Sequence, residues 1–304
     1  MKKFQQGLAL GFVFLASACA GSSSESKTAA GAGGSAFTYA PTLNAPYHET
    51  MQRYEEMSIP GTPMRDAERW TLDWDVVNGQ ESNLFKRTLK LVGLKLNVNG
   101  VDQLRGDEIK PSGVTLEVLT DKDSNVVDVR GTDQMSAAIV ALGTPEAQPV
   151  LARIFSPQRL KALAVLRSIE QHADFVGRPA AVGSTWTAAD SESGGTKQVK
   201  VISESPCGSA KCVKVERTYE PDKNALFAEV ADRVAAYVKS QGADPTQVKL
   251  VSLDVKLQDS LVIDPATMDY HGLNFGQDAT LHLAGPNGQL PVALKIERSS
   301  DYKY

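Results

Sequence analysis

The chain has 304 residues, 42% of them hydrophobic and 22% charged, with a formal net charge of −4. That length and apolar content suffice for one large core or two small ones. The mildly acidic, interspersed charge argues against a nucleic-acid partner and against an electrostatic hold on anionic lipid. Its three cysteines, Cys19, Cys207 and Cys212, are odd in number until one of them is given a separate role.

Taken in order, the chain opens with Lys2 and Lys3 as a positive n-region and a short apolar run from Leu8 to Leu15. Ala16, Ser17 and Ala18 then lead into Cys19, which is the layout of an export signal. Leu15-Ala16-Ser17-Ala18-Cys19 resembles the lipobox of bacterial lipoproteins. The resemblance implies removal of residues 1–18 as a signal peptide, with Cys19 becoming the lipidated first residue of the mature chain and palmitate among its acyl groups. Ordinary signal-peptide cleavage at the same bond is a second reading. An uncleaved anchor is a third, although the run is well short of the roughly 20 residues a spanning helix needs. Cleavage before Cys19 leaves 286 residues and moves the formal charge from −4 to −6. Acyl chains then supply membrane affinity at about 0.8 kcal/mol per buried methylene. Ala20 is not the aspartate that retains enterobacterial lipoproteins at the inner membrane, so the resemblance implies the outer membrane, facing the periplasm or the cell surface.

Residues 19–35 read as a lipidated flexible tether: small polar residues without apolar periodicity, reaching about 20–24 Å r.m.s.. Ser24-Glu25-Ser26-Lys27 matches the S-x-x-K nucleophile motif only by chance, since a tether offers it no helix. Residues 36–304 read as a single domain. His48–Met57 reads as a short helix and Pro60-Gly61 as a turn. Trp70, Leu72, Trp74 and Val76 alternate with polar residues as a half-buried strand, with Asp73 and Asp75 on its solvated side. Leu89 and Leu91 share one parity and Leu94 and Leu96 the other, which predicts a bulge at Val92-Gly93 and a bent sheet. Asn99-Gly100 is a turn, and Asp121–Asn125 a hairpin turn rather than a calcium loop, for it lacks the glycine and glutamate such a loop requires.

Met135, Ala138, Ile139 and Leu142 have helical spacing, ended by Gly143. Ser156-Pro157 begins a second helix with Ala162, Val165, Leu166, Ile169 and Ala173 as its stripe and His172 beside it. Trp186 opens a second β segment. Val199–Ser203 and Val213–Val215 flank Cys207 and Cys212 as a hairpin, and a helix follows with Leu226, Val230, Val234, Tyr237 and Val238 as its buried face. The repeated order of hairpin then helix suggests a degenerate duplication, its halves joined near residues 176–186. Val251, Leu253, Val255, Leu257, Leu261 and Ile263 predict one long curved strand, and Leu281 to Ile296 a final hairpin turning at Pro286-Asn287-Gly288. With Cys19 assigned to lipid, Cys207 and Cys212 are expected to form a disulfide worth about 2 kcal/mol in the chain-entropy model. A metal site at the two cysteines would need further ligands, and none lies near in sequence.

The fold class these elements predict is α+β: a long curved antiparallel sheet, an incomplete barrel, with helices packed on one face. Over about residues 66–298 it resembles the incomplete-barrel folds of LolA-type lipoprotein carriers. Pro179-Ala180-Ala181-Val182-Gly183-Ser184-Thr185-Trp186 and Asp264-Pro265-Ala266-Thr267 resemble phrases of uncharacterised bacterial envelope proteins, with Met268 standing where those phrases carry glycine. The chain has no H-E-x-x-H, G-x-S-x-G, C-x-x-C or Walker A motif, and its histidines lie apart at 48, 172, 271 and 282, with His271 expected in a loop. The expectation is therefore no enzyme, no catalytic residue, no cofactor and no metal. The expected function is a lipid-anchored interaction or accessory module of an envelope assembly, touching the membrane through Cys19 and other envelope proteins through its folded part. The alternative is a carrier or sensor binding a lipid or other apolar ligand in the concave sheet. Cys19→Ser is expected to move the protein into the soluble fraction or block its processing; a variant that still fractionates wholly with membrane at high salt would refute the anchor.

Overall fold

The computed structural model describes residues 36–63, 65–104, 113–168, 174–190, 194–208, 210–240, 244–286 and 288–304. Cys19 and the rest of residues 1–35, which carry the expected signal peptide and tether, lie outside them, as do Ile169, His172 and Ala173. The order of elements is β1 (Pro46–Ser58), β2 (Arg65–Glu81), β3 (Leu84–Val98), β4 (Val101–Asp102), β5 (Thr115–Thr120) and β6 (Val126–Arg130), then helices α1 (Thr132–Leu142), α2 (Gln148–Ile154) and α3 (Pro157–Ser168). β7 (Thr185–Asp190), β8 (Gly195–Cys207), β9 (Ala210–Glu220), α4 (Lys223–Ser240) and the long strands β10 (Lys249–Ile263), β11 (Tyr270–Gly285) and β12 (Gly288–Lys303) complete it. All the strands join one antiparallel sheet in the order β6-β5-β3-β2-β1-β12-β11-β10-β9-β8-β7, with β4 paired to β3. The sheet is open, and its ends, β6 and β7, are edges.

Every helix named above packs on the same face of this sheet. Trp70, Leu72, Trp74 and Val76 of β2 are buried there, as the alternation predicts, and β3 continues the layer with Leu89, Leu91, Leu94 and Leu96. The parity switch is real: Asp73 pairs Gly93 and Trp74 pairs Leu91, leaving Val92 as the extra residue of a bulge. A Cβ at Gly93 would stand 2.7 Å from an Asp73 carboxylate oxygen, so a larger residue there would have to push the Asp73 side chain aside. Met135, Ile139, Leu151, Ile154, Phe155, Leu160 and Ala164 of α1–α3 and the loop between them fill the space over β1, β2, β3 and β5. α4 covers a second cluster, where Leu226, Val230, Val234 and Val238 meet Leu281, Leu283, Val292, Leu294 and Ile296.

Several expectations are corrected. His48–Met57 is not a helix but most of β1, paired to β2 on one side and β12 on the other. Glu, Gln and Met favour a helix locally, but two full ladders of backbone hydrogen bonds outweigh fractions of a kcal/mol per residue. In β10 a bulge between Leu250 and Ser252 turns Val251 outward, leaving it 47% exposed, so the common parity begins only at Leu253. On α3 the buried positions are Leu160 and Ala164, one step out of phase with Ala162 and Val165, which are half-buried. Gly143 ends α1 in extended rather than left-handed backbone; its missing side chain makes room for Leu151, whose Cδ1 would lie 2.3 Å from a Cβ. His271 lies in β11, not in a loop.

Met268 explains its own departure from the phrase it interrupts. Its φ is +60°, which glycine adopts freely, yet its side chain is buried in the first core. The packing of a large apolar group offsets the backbone strain. Gly131, between β6 and α1, has no such freedom: its φ is +86° and a Cβ would stand 2.3 Å from the Thr115 carbonyl oxygen. Gly131→Ala is expected to destabilise the fold by about 2–4 kcal/mol, read as a lower denaturant midpoint at unchanged slope; an unchanged midpoint would contradict this geometry.

Candidate functional site

On the helix-packed face the two apolar clusters are separated by a polar belt. Arg217 of β9 is wholly buried and donates to Asp259 of β10 through Nε at 2.9 Å and Nη2 at 2.6 Å, and through Nη1 to Asp174 at 2.9 Å. Lys197 of β8 reaches the same Asp174 oxygen at 2.8 Å, and the Tyr219 hydroxyl donates to Asp259 at 2.7 Å. Two cations thus meet two carboxylates out of solvent. Such a cluster adds little net stability over an apolar one, but removing a single member strands a buried charge at about 3–5 kcal/mol. It therefore fixes the relative positions of β8, β9 and β10.

Further along the belt, Arg53 and Glu55 of β1 pair at 3.1 Å, and Glu55 is the register partner of Glu68 on β2. Arg153 of α2 and Arg159 of α3 come over the same point, with an Arg159 guanidinium N–H donating to the Arg153 carbonyl at 3.0 Å. Burial, and then the facing Glu55 carboxylate, push the Glu68 carboxyl up to about 7 against the pull of these arginines.

Between α3 and the sheet lies an apolar slot with Leu72, Trp74, Leu116, Leu160, Leu163 and Leu273 in its walls and Arg87 and Arg298 among them. Its volume is about 60 Å³. Drug-sized ligands occupy roughly 300–1,000 Å³. The slot is close to filled.

The opposite, helix-free face carries a trough of about 690 Å³. Each of five adjacent strands, β1, β12, β11, β10 and β9, crosses it with three consecutive residues. The middle ones are Arg53, Arg298, Phe275, Asp259 and Arg217, whose side chains turn to the helix-packed face, so their backbone forms the floor. The flanking residues alternate outward: Gln52 and Tyr54, Glu297 and Ser299, Asn274 and Gly276, Gln258 and Ser260, Glu216 and Thr218. At Gly276 a Cβ would meet nothing within 4 Å, so the absent side chain deepens the floor. Charges on the walls are matched: Lys214 pairs Glu216 at 3.4 Å, and Lys295 beside the trough pairs Glu297 at 2.6 Å. At one end the Arg69 guanidinium lies 5.2 Å from the Tyr54 ring centre, and beyond it a second hollow of about 690 Å³ is lined by Arg65, Asn97 and Asn99. The Tyr54 hydroxyl donates to Glu56, and this bond, with Arg65 at 2.6 Å, holds the Glu56 carboxyl below its ordinary range.

None of the trough residues was singled out from the sequence. The wall residues are outward residues of strands, and only pairing of strands from both ends of the chain brings them together. Of the residues that were, Cys207 and Cys212 are joined as a disulfide with Cα atoms 5.8 Å apart. No further ligand lies near them in sequence, but the fold brings one: His271 offers a ring nitrogen within 4.8 Å of both sulfurs. Asp73 and Asp75 are bridged by His48, whose Nδ1 is 3.1 Å from Asp75, and Asp73 accepts from Thr50 at 2.7 Å. His282 sits half-exposed on the helix-free face, opposite Pro291. Among the described residues no helix is long and apolar enough to cross a membrane.

The raised Glu68 carboxyl fixes a sign for pH dependence. A carboxyl with a raised folded-state pKa takes up protons on folding, so it costs nothing below its ordinary 4.5 and destabilises increasingly as pH rises to about 7. Glu68→Gln is expected to stabilise the fold at about pH 8, by at most about 3 kcal/mol, with the gain gone near pH 4.5. A difference in denaturation midpoint that does not vary with pH would contradict the shift.

No protein-family model matches the chain, and no curated protein matches it in sequence. Among solved structures it is weakly similar to a DUF1329 family protein from Desulfovibrio piger, at 9% identity over 84% of this chain and 85% of that one, with a TM-score of 0.17. A tesB protein from Mycobacterium avium subspecies paratuberculosis shares 11% identity over 83% of this chain and 78% of that one, with a TM-score of 0.09.

Proposed function

We propose that this protein is a lipid-anchored, non-catalytic interaction module of the bacterial cell envelope, held at the outer membrane through Cys19 and docking an extended polar partner in the trough. The observation that carries the reading is where the open space lies. The hollow beneath α3 holds about 60 Å³, whereas the trough on the helix-free face holds about 690 Å³. A chain tethered at Cys19 needs no apolar cavity to stay at a membrane, and its rigid sheet can present one face to a partner. Amide, hydroxyl and matched charged groups, with Tyr54 and Arg69 at one end, suit a polar chain that accepts and donates hydrogen bonds.

The lipid-carrier alternative has one observation in its favour, the apolar walls of the slot with Arg87 and Arg298 among them, an arrangement suited to an acyl chain with an anionic head if α3 moved away. One experiment separates the two. Gly276→Trp fills the trough without touching the slot. Photo-crosslinkers placed at Ser260 and Ser299 in cells are expected to capture an envelope component, and Gly276→Trp to abolish the capture at unchanged thermal stability. A stoichiometric fatty acid or phospholipid carried through purification, with crosslinking indifferent to Gly276→Trp, would overturn the module in favour of the carrier.

A further inference from the structure

The disulfide corner holds a donor set that the sequence does not disclose. Cys207 and Cys212 close the tip of the β8–β9 hairpin, and Val213, the next residue, lies opposite Ile263 of β10. On the other edge of β10, Ile263 pairs Tyr270 whereas Val262 pairs Gly272, so His271 is the extra residue of a β-bulge. A bulge re-aims the side chain it carries. One ring nitrogen of His271 and both sulfurs consequently lie within 4.8 Å of one another, with the cysteines buried and the imidazole half-buried. Tyr304 backs the imidazole at 4.7 Å between ring centres, and its hydroxyl donates to the Tyr270 carbonyl at 2.8 Å, which holds the ring in place.

We propose that Cys207, Cys212 and His271 form a redox-gated metal site: closed to metal while the disulfide stands, and open to a zinc-class ion once it is reduced. A dithiol reductant supplies the opening step. It passes two electrons and two protons to the sulfurs, the Cys207–Cys212 bond breaks into two thiols, and the reductant leaves as its own disulfide. Metal entry then displaces the two thiol protons and forms two metal–sulfur bonds and one metal–nitrogen bond. The distances allow this. Zn–S of about 2.3 Å and Zn–N of about 2.0–2.1 Å place tetrahedral donor atoms roughly 3–4 Å apart, inside the present spread once the sulfurs separate. Two sulfurs and one imidazole select Zn²⁺ or Cu⁺ over Mg²⁺ or Ca²⁺, and three protein ligands leave a position open to water or a partner's donor. The bond and the metal exclude one another, so the corner has two states set by the thiol balance around it.

Full-length protein, reduced with a phosphine or kept oxidised, would be titrated with Co²⁺ as the spectroscopic probe and then with Zn²⁺. The expected result is one Co²⁺ per reduced chain, with tetrahedral ligand-field bands and thiolate charge-transfer absorption that Zn²⁺ abolishes, and no uptake by the oxidised chain. His271→Ala, which keeps the disulfide and can be checked for its fold in the oxidised form, is expected to weaken binding at least tenfold. Cys212→Ser is expected to remove most of the charge-transfer absorption. Reduced protein that takes up no Co²⁺, reduced protein that loses its fold and with it the corner, or His271→Ala that binds as tightly as the parent would each overturn the site.

Discussion

The pairing of the first strand with the last holds this molecule together. From His48 with Lys303 to Ser58 with Ala293, β1 and β12 run antiparallel over eleven residue pairs and join strands contributed by opposite ends of the chain. Without that seam β1 to β6 would form one sheet and β7 to β12 another, with β1 and β12 as fresh exposed edges. Loop-closure entropy opposes so distant a pairing, and the long ladder with its buried side chains must outweigh it. Tyr47 and Met51 of β1 and Tyr302 of β12 belong to the first core, while Met57, Leu294 and Ile296 belong to the second, so both clusters are completed across the same seam.

The open polar face follows from having only one face of that sheet covered by helices. An open antiparallel sheet of alternating pattern has one face that must be buried. Here α1–α3 and α4 divide that task, and a narrow slot of about 60 Å³ lies beneath α3. Where the two covers do not meet, the strands carry charge instead of apolar groups, and the cluster of Arg217, Asp259, Asp174 and Lys197 satisfies itself internally. Those belt residues direct their side chains to one face and lend their backbone to the floor of the trough on the other. The rigidity of the buried charges and the shape of the polar face are thus two consequences of the same residues.

A good part of this was legible in the chain itself. The period of two in Trp70–Val76, its change of parity at Gly93 and the turn at Asn99-Gly100 all reported local geometry, because each depends on neighbours in sequence. The pairing of Cys207 with Cys212 was readable for the same reason. β1 was not. Its inward stripe of buried Tyr47, Glu49, Met51 and Met57 and half-buried Arg53 and Glu55 mixes apolar with charged residues, so the alternation that marks a strand is masked by the belt it crosses.

The sequence by itself therefore determined the alternation of β2 and β3, the turns at Asn99-Gly100 and Asp121–Asn125 and the apolar stripes of α1 and α4, since these are set by short-range sterics and by the preference of apolar groups for burial. The tertiary structure alone decided that β1 lies between β2 and β12, that a bulge brings His271 to the cysteines, and that outward residues of five strands converge as one trough. Each of those depends on register between segments far apart in the chain, and register is a property of paired backbones that no single stretch of residues contains.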